Sequence, residues 1–186
     1  MALLEKYFPE AKSRYAEINQ YSLFETVEMQ ILNEDPEVYS RRLEQLESKL
    51  AGNELEEEKF IRSGAFRDQV LKTYNTTCAI SGLRIEATAN ISLIDACHIK
   101  PFNVSHNDHI TNGIALCHNL HRAFDRGLIS IEDNYRMIIS PHFLEYDHNV
   151  YSIKQFEGKE INLPGSKNYY PHPKNFEYHR EYIFLM

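Results

Sequence analysis

The 186-residue chain carries 20 Lys+Arg against 27 Asp+Glu, a formal net charge of −7, with 42% hydrophobic and 12% aromatic residues. That composition suits a globular protein long enough to bury a core, and it excludes a wholly disordered chain. Taken whole, the acidic balance also speaks against a nucleic-acid partner.

No apolar run approaches the ~20 residues needed to cross a bilayer. Residues 1–15 are charged and lack the apolar centre of a signal peptide, so a cytoplasmic protein with no membrane partner is expected. Three widely spaced cysteines make no disulfide framework. The charge is unevenly placed. Residues 1–60 hold 7 Lys+Arg and 14 Asp+Glu, and residues 61–186 hold 13 of each together with all nine histidines. The sequence thus divides into an acidic arm, 1–60, and a neutral body, 61–186.

The arm reads as helices serving packing or oligomerisation. Pro9 suits a helix start, and Phe24, Val27 and Ile31 form a helical stripe. Asp35-Pro36-Glu37 is a start signal, with Asp as N-cap and Pro in the first turn. Leu43, Leu46 and Leu50 continue as a stripe that Gly52-Asn53 is expected to end. The acidic run Glu54 and Glu56-Glu57-Glu58 marks a boundary.

In the body, Phe66, Val70 and Tyr74 are spaced for a helix. Residues 75–82 are turn-rich. Residues 91–99 suit a strand, 102–111 a polar loop, 114–117 a short strand, and 118–126 a helix stopped by Gly127. Residues 128–132 and 135–139 flank Asp133-Asn134, which predicts a hairpin with a two-residue turn. Residues 176–185 predict a closing helix.

Chemistry concentrates between Asp95 and Gly127. His121 and Asp125 stand four apart on the predicted helix, so an imidazole and a carboxylate share one face and can chelate a divalent ion. His98 on the strand can act as general base toward water. Lys100, Arg122 and Arg126 can hold phosphate oxygens. His106, His109, His118, His142 and His148 read as loop or surface residues.

His98, Asn112 and His121, with Ala96-Cys97-His98-Ile99-Lys100-Pro101 around the first and Leu120-His121-Arg122-Ala123-Phe124-Asp125-Arg126-Gly127 around the last, resemble the HNH endonucleases. Phe66-Arg67, Tyr74 and Cys78-Ala79-Ile80-Ser81-Gly82 resemble the family's lead-in, so the likeness covers roughly 62–184. It is closest to the HNH modules of bacterial restriction endonucleases.

The resemblance implies an α+β fold: a ββα-metal finger with an additional β-hairpin and flanking helices, preceded by the helical arm. It implies His98 as the base, His121 and Asp125 as metal ligands, and Asn112 as the residue that ties the loop so that the base points correctly. The implied activity is metal-dependent hydrolysis of DNA phosphodiester bonds, with Mg²⁺ or Mn²⁺ as cofactor, in restriction or phage defence. DNA is the implied partner, and a homodimer through the arm is a compatible arrangement. Alternatives are a non-cutting nucleic-acid binding module on the same fold, or a nuclease toxin.

Two departures stand out. Many relatives place an Asp or His metal ligand immediately before the base, and here that position is Cys97, a poor ligand for hard Mg²⁺. Asp95 shares its strand face and is the expected replacement, against a rival site of His121, Asp125 and water alone. Some relatives also hold a structural zinc with two pairs of cysteines. Here only Cys78 and Cys117 remain, so structural zinc is not expected.

Overall fold

The computed structural model describes residues 20–50, 52–85, 92–146 and 151–186. The expectations placed on Pro9, Ile91 and His148 lie outside them.

Three helices come first: α1 (Gln20–Asn33), α2 (Pro36–Glu47) and α3 (Gly52–Thr73). Asp35 caps α2, its Oδ1 accepting from the Glu37 N–H at 3.0 Å, with Pro36 in the first turn. The end of α2 differs from expectation. The N–H groups of Lys49 and Leu50 both turn back onto the Leu46 carbonyl at 3.0 Å, closing the helix early. Gly52-Asn53 therefore opens α3 rather than ending α2. Glu54 and Glu56 to Glu58 fall in the first two turns of α3, where negative charge complements the N-terminal end of the helix dipole. That run is helix and no chain break, and α3 passes through residue 60 uninterrupted.

The inward stripe of α3 holds Arg62, Ala65, Phe66, Gln69 and Val70. On one side it meets the arm: Val27, Ile31, Tyr39 and Leu43 are buried, Gln69 Nε2 donates to Glu28 Oε1 at 2.6 Å, and Arg62 donates to Tyr39 Oη at 3.0 Å. On the other side lie two antiparallel strands, β1 (Ile94–His98) and β2 (Gly113–Cys117), with Asp95 opposite Leu116 and His98 opposite Gly113. Gly113 permits this approach. A Cβ there would stand 2.4 Å from Val70 Cγ2 and 3.1 Å from the Phe66 ring.

The loop between the strands is less irregular than expected. It contains a single-turn helix, α4 (Phe102–Ser105), and a 3₁₀ turn at Ile110–Asn112. Directly after β2 comes α5 (His118–Asp125), burying Leu120, Ala123 and Phe124. It ends in a Schellman motif: the Gly127 N–H reaches the Phe124 carbonyl and the Leu128 N–H the Ala123 carbonyl, both at 2.9 Å, with Gly127 at φ +68°.

Strands β3 (Ile129–Ile131) and β4 (Met137–Ile139) form the expected hairpin. Its turn is one residue longer than predicted. Tyr135 takes a left-handed φ of 62° and the Glu132 N–H bonds the Arg136 carbonyl, a three-residue loop whose twist suits the strands. The closing helix α6 (Pro173–Tyr182) starts three residues earlier than predicted, because His172 Nδ1 caps it by accepting from Lys174 N–H. Its buried His179 contacts Ser130 Oγ on β3 at 2.8 Å and the Phe124 carbonyl on α5 at 3.0 Å, pinning three elements together. The whole is an α+β arrangement of helices around two small antiparallel strand pairs. No described helix is long and apolar enough to cross a membrane.

Candidate active site

The site forms where β1 faces α5. Because α5 follows β2 without a loop, its first turns lie beside the paired strand β1. His121 and Asp125, one turn apart, put His121 Nε2 at 3.3 Å from Asp125 Oδ2. From β1, Cys97 Sγ reaches Asp125 Oδ1 at 3.6 Å. One ligand atom each from Cys97, His121 and Asp125 lies within 4.8 Å of the others. Four ligands held about 2.0–2.3 Å from a tetrahedral ion stand roughly 3.3–3.8 Å apart, and the His121–Asp125 and Cys97–Asp125 separations fall in that range.

Asp95 enters differently from the expected ligand. Its Oδ2 lies 3.2 Å from His121 Nδ1, the ring nitrogen that does not face Asp125. A second imidazole, His118 Nδ1, meets the same oxygen at 3.1 Å. Burial by itself would raise the Asp95 pKa, but hydrogen bonds and charge from His121 and His118 outweigh it and hold the carboxyl below its ordinary value. A carboxylate on the outer ring nitrogen fixes the tautomer that leaves Nε2 free to coordinate. His118, read from sequence as a surface residue, is exposed yet belongs to this network. The three-residue spacing of His118 and His121 on one helix was the available signal.

His98 sits at the end of β1 with its ring stacked on Phe66, centroids 3.9 Å apart and planes within 8°, and with Phe102 at 5.6 Å. Its Nε2 is shielded and has no hydrogen-bond partner among the described residues. Burial, aided by the His121 charge, lowers its pKa from 6.5 to about 4, so the ring is neutral at neutral pH. The sequence marked Phe66 as a helical core position and as part of the family-like lead-in, with no sign of a contact to His98. The aromatic wall it gives His98 required the fold.

Asn112, fully buried, accepts from the Lys100 N–H at 2.9 Å and donates to the carbonyls of Lys100 at 2.9 Å and Asn107 at 2.8 Å. It thereby clamps the chain just after His98 to the far side of the loop. The three candidate phosphate-binding cations are not brought to one point. Arg122 on α5 and Arg126 at its C-cap are exposed, while Lys100 Nζ lies 4.4 Å from the centre of the Tyr178 ring.

Cys78 and Cys117 are buried and adjacent, and Cys78 Sγ accepts from the Ser81 N–H at 3.4 Å. Two of the histidines expected in loops or at the surface lie in the loop between β1 and β2, and both are engaged there. His109 is buried beside Tyr39, with ring centroids 5.7 Å apart, and His106 Nδ1 pairs with Glu47 Oε1 at 3.1 Å. The His179-Arg180 pair is engaged in packing, with Arg180 held by the Ile131 carbonyl and Asp133 at 2.6 Å each.

Residues 78–132 match the protein family described as HNH endonuclease. The similarity to that family is confined to this segment. The segment contains every candidate site residue from Asp95 to Arg126. A solved structure described as a modification dependent TagI restriction endonuclease is similar at 22% identity and a TM-score of 0.47, covering 65% of this chain and 38% of that one. The chain therefore spans well under half of that protein. No curated protein matches. The matched segment includes His98, Asn112 and His121, while α1 to α3, β4 and α6 lie outside it.

Proposed function

We propose that the chain is a divalent-metal-dependent DNA endonuclease built on a ββα-metal finger of β1, β2 and α5, acting in restriction or phage defence. One combination supports the reading: His98 Nε2 is shielded and unpartnered, its pKa is lowered partly by the His121 charge, and His121 belongs with Cys97 and Asp125 to a cluster able to hold a metal ion.

In this account His98 Nε2 takes the proton from the attacking water. Stacking on Phe66 fixes the ring plane, and burial keeps the nitrogen unprotonated. Asn112 positions His98 by locking the backbone that follows it. His121 Nε2 and Asp125 hold the ion, and Asp95 orients His121 through Nδ1, so Asp95 supports the metal site rather than ligating it. When bound, the ion supplies Lewis-acid stabilisation of the charge that develops on the phosphate and the leaving 3′ oxygen. Arg122, Arg126 and Lys100 supply positive charge for the phosphates around the scissile bond.

Incubating plasmid with the metal-stripped chain, with and without a panel of divalent ions, tests this reading. Nicking or linearisation that requires an added ion, and that is lost in His121→Ala and Asp125→Ala, is the expected result. Ion-independent behaviour identical in wild type and both variants would refute it and favour a non-cutting binding module.

A further inference from the structure

The donor set raises a question that the matched family does not answer, namely which class of ion this chain takes. An imidazole and a carboxylate alone would accept a hard ion such as Mg²⁺. In this chain, however, the side chain completing the triangle is a thiol. Cys97 Sγ lies 3.6 Å from Asp125 Oδ1, is buried to 1% exposure, and belongs to the group whose ligand atoms fall within 4.8 Å of one another. The carboxylate that could have replaced it, Asp95, is engaged on the far nitrogen of His121.

Resting on the metal-site reading above, we propose that Cys97 is the third protein ligand, and that the site therefore selects a thiophilic first-row ion of the Zn²⁺ or Co²⁺ class over Mg²⁺. Thiolate is a soft donor suited to such ions, whereas Mg²⁺ demands oxygen ligands in octahedral array. Sulfur, nitrogen and oxygen from three side chains, with a fourth position open, match the ligand count of catalytic zinc sites. On binding, the metal–sulfur bond replaces the Cys97 S–H bond and the proton passes to solvent, with no change of oxidation state. The ring of His121 is already aimed by Asp95, so the nitrogen ligand is preorganised.

Co²⁺ titration into the metal-stripped full chain is the direct test, because a thiolate ligand gives an intense near-ultraviolet charge-transfer band. The band is expected in wild type, bleached by Zn²⁺ but not by excess Mg²⁺. It is expected to be lost in Cys97→Ser and retained when Cys78 and Cys117 are both replaced by Ser. Absence of the band in wild type, its survival in Cys97→Ser, or its bleaching by Mg²⁺ would overturn the proposal. If Cys97→Ser fails to fold, the double variant decides: a band that disappears with Cys78 and Cys117 assigns the thiolate elsewhere. Plasmid cleavage measured in parallel separates the two readings. A Cys97-dependent band without cleavage would sink only the nuclease function, and Mg²⁺-supported cleavage without a band would sink only the thiophilic site.

Discussion

Individual side chains carry the sharpest consequences. His98→Ala removes the proposed base while leaving the ion ligands intact, and cleavage is expected to fall roughly 10²–10⁴-fold with little change in metal binding. With the ion kept saturating at each pH, the wild-type rate should hold as pH is lowered through 6.5, because burial depresses the His98 pKa to about 4. An acid limb near 6.5 would show that the ring is not shielded as described. A different residue governs stability. Asp108 is buried, neither carboxyl oxygen has a hydrogen-bond partner among the described residues, and burial raises its pKa from 3.8 to about 7. The unfolded chain therefore loses this proton first, so Asp108 subtracts stability as pH rises from about 4 to 7. His98 and His179 act oppositely. Their folded pKa values of about 4 lie below 6.5, so their stability is present above 6.5 and lost as pH falls toward 4. Asp108→Asn is expected to raise Tm at pH 8, corresponding to a gain on the order of 2–4 kcal/mol, and to leave it unchanged at pH 4. A thermal melt at the two pH values checks this. Equal shifts at both would contradict it.

At the level of elements, the site depends on how α3, the strand pair and α5 are locked together. Asn112 joins the end of β1 to its loop through three hydrogen bonds. Asn112→Asp would remove both donors and set a carboxylate against two carbonyls, so a loss of about 2–4 kcal/mol in a denaturant melt is expected. Gly127 ends α5 at φ +68°, and a Cβ there would stand 2.0 Å from the Ile183 carbonyl oxygen. Gly127→Ala must therefore displace the tail that follows α6 as well as strain the helix end.

Much of this scale was legible in the sequence. Period, caps and turn residues placed β1, β2, α5 and the hairpin, and the contiguous strings around His98 and His121 exposed the motif. Other features were not, for physical reasons. Gly52-Asn53 can end one helix or open the next, and only the carbonyl acceptance at Leu46 decides. Strand alternation brought Asp95 toward the metal side of β1, but which ring nitrogen of His121 it meets depends on the helix position. The Phe66 stack on His98 is a contact between residues 32 apart in sequence, beyond any local pattern.

For the whole molecule, the acidic arm and the neutral body share one helix and one hydrophobic core. The described part of the arm buries Val27, Ile31, Tyr39 and Leu43 against α3, the helix that also walls His98. The net charge of −7 thus describes a surface remote in sequence from the motif, while the cations near the site are few. If Lys100, Arg122 and Arg126 each neutralise one phosphate, a plot of log binding constant against log salt for duplex DNA should have a slope of roughly −3, and each Ala substitution should reduce it by about one. A slope near zero would place the duplex elsewhere. The central claim, that His98 and the ion cluster together hydrolyse DNA, is tested most directly by single-turnover cleavage of a duplex at saturating metal, comparing wild type with His98→Ala. Cleavage by wild type with at least a roughly hundredfold slower His98→Ala is the predicted result. Equal rates in the two proteins would contradict it.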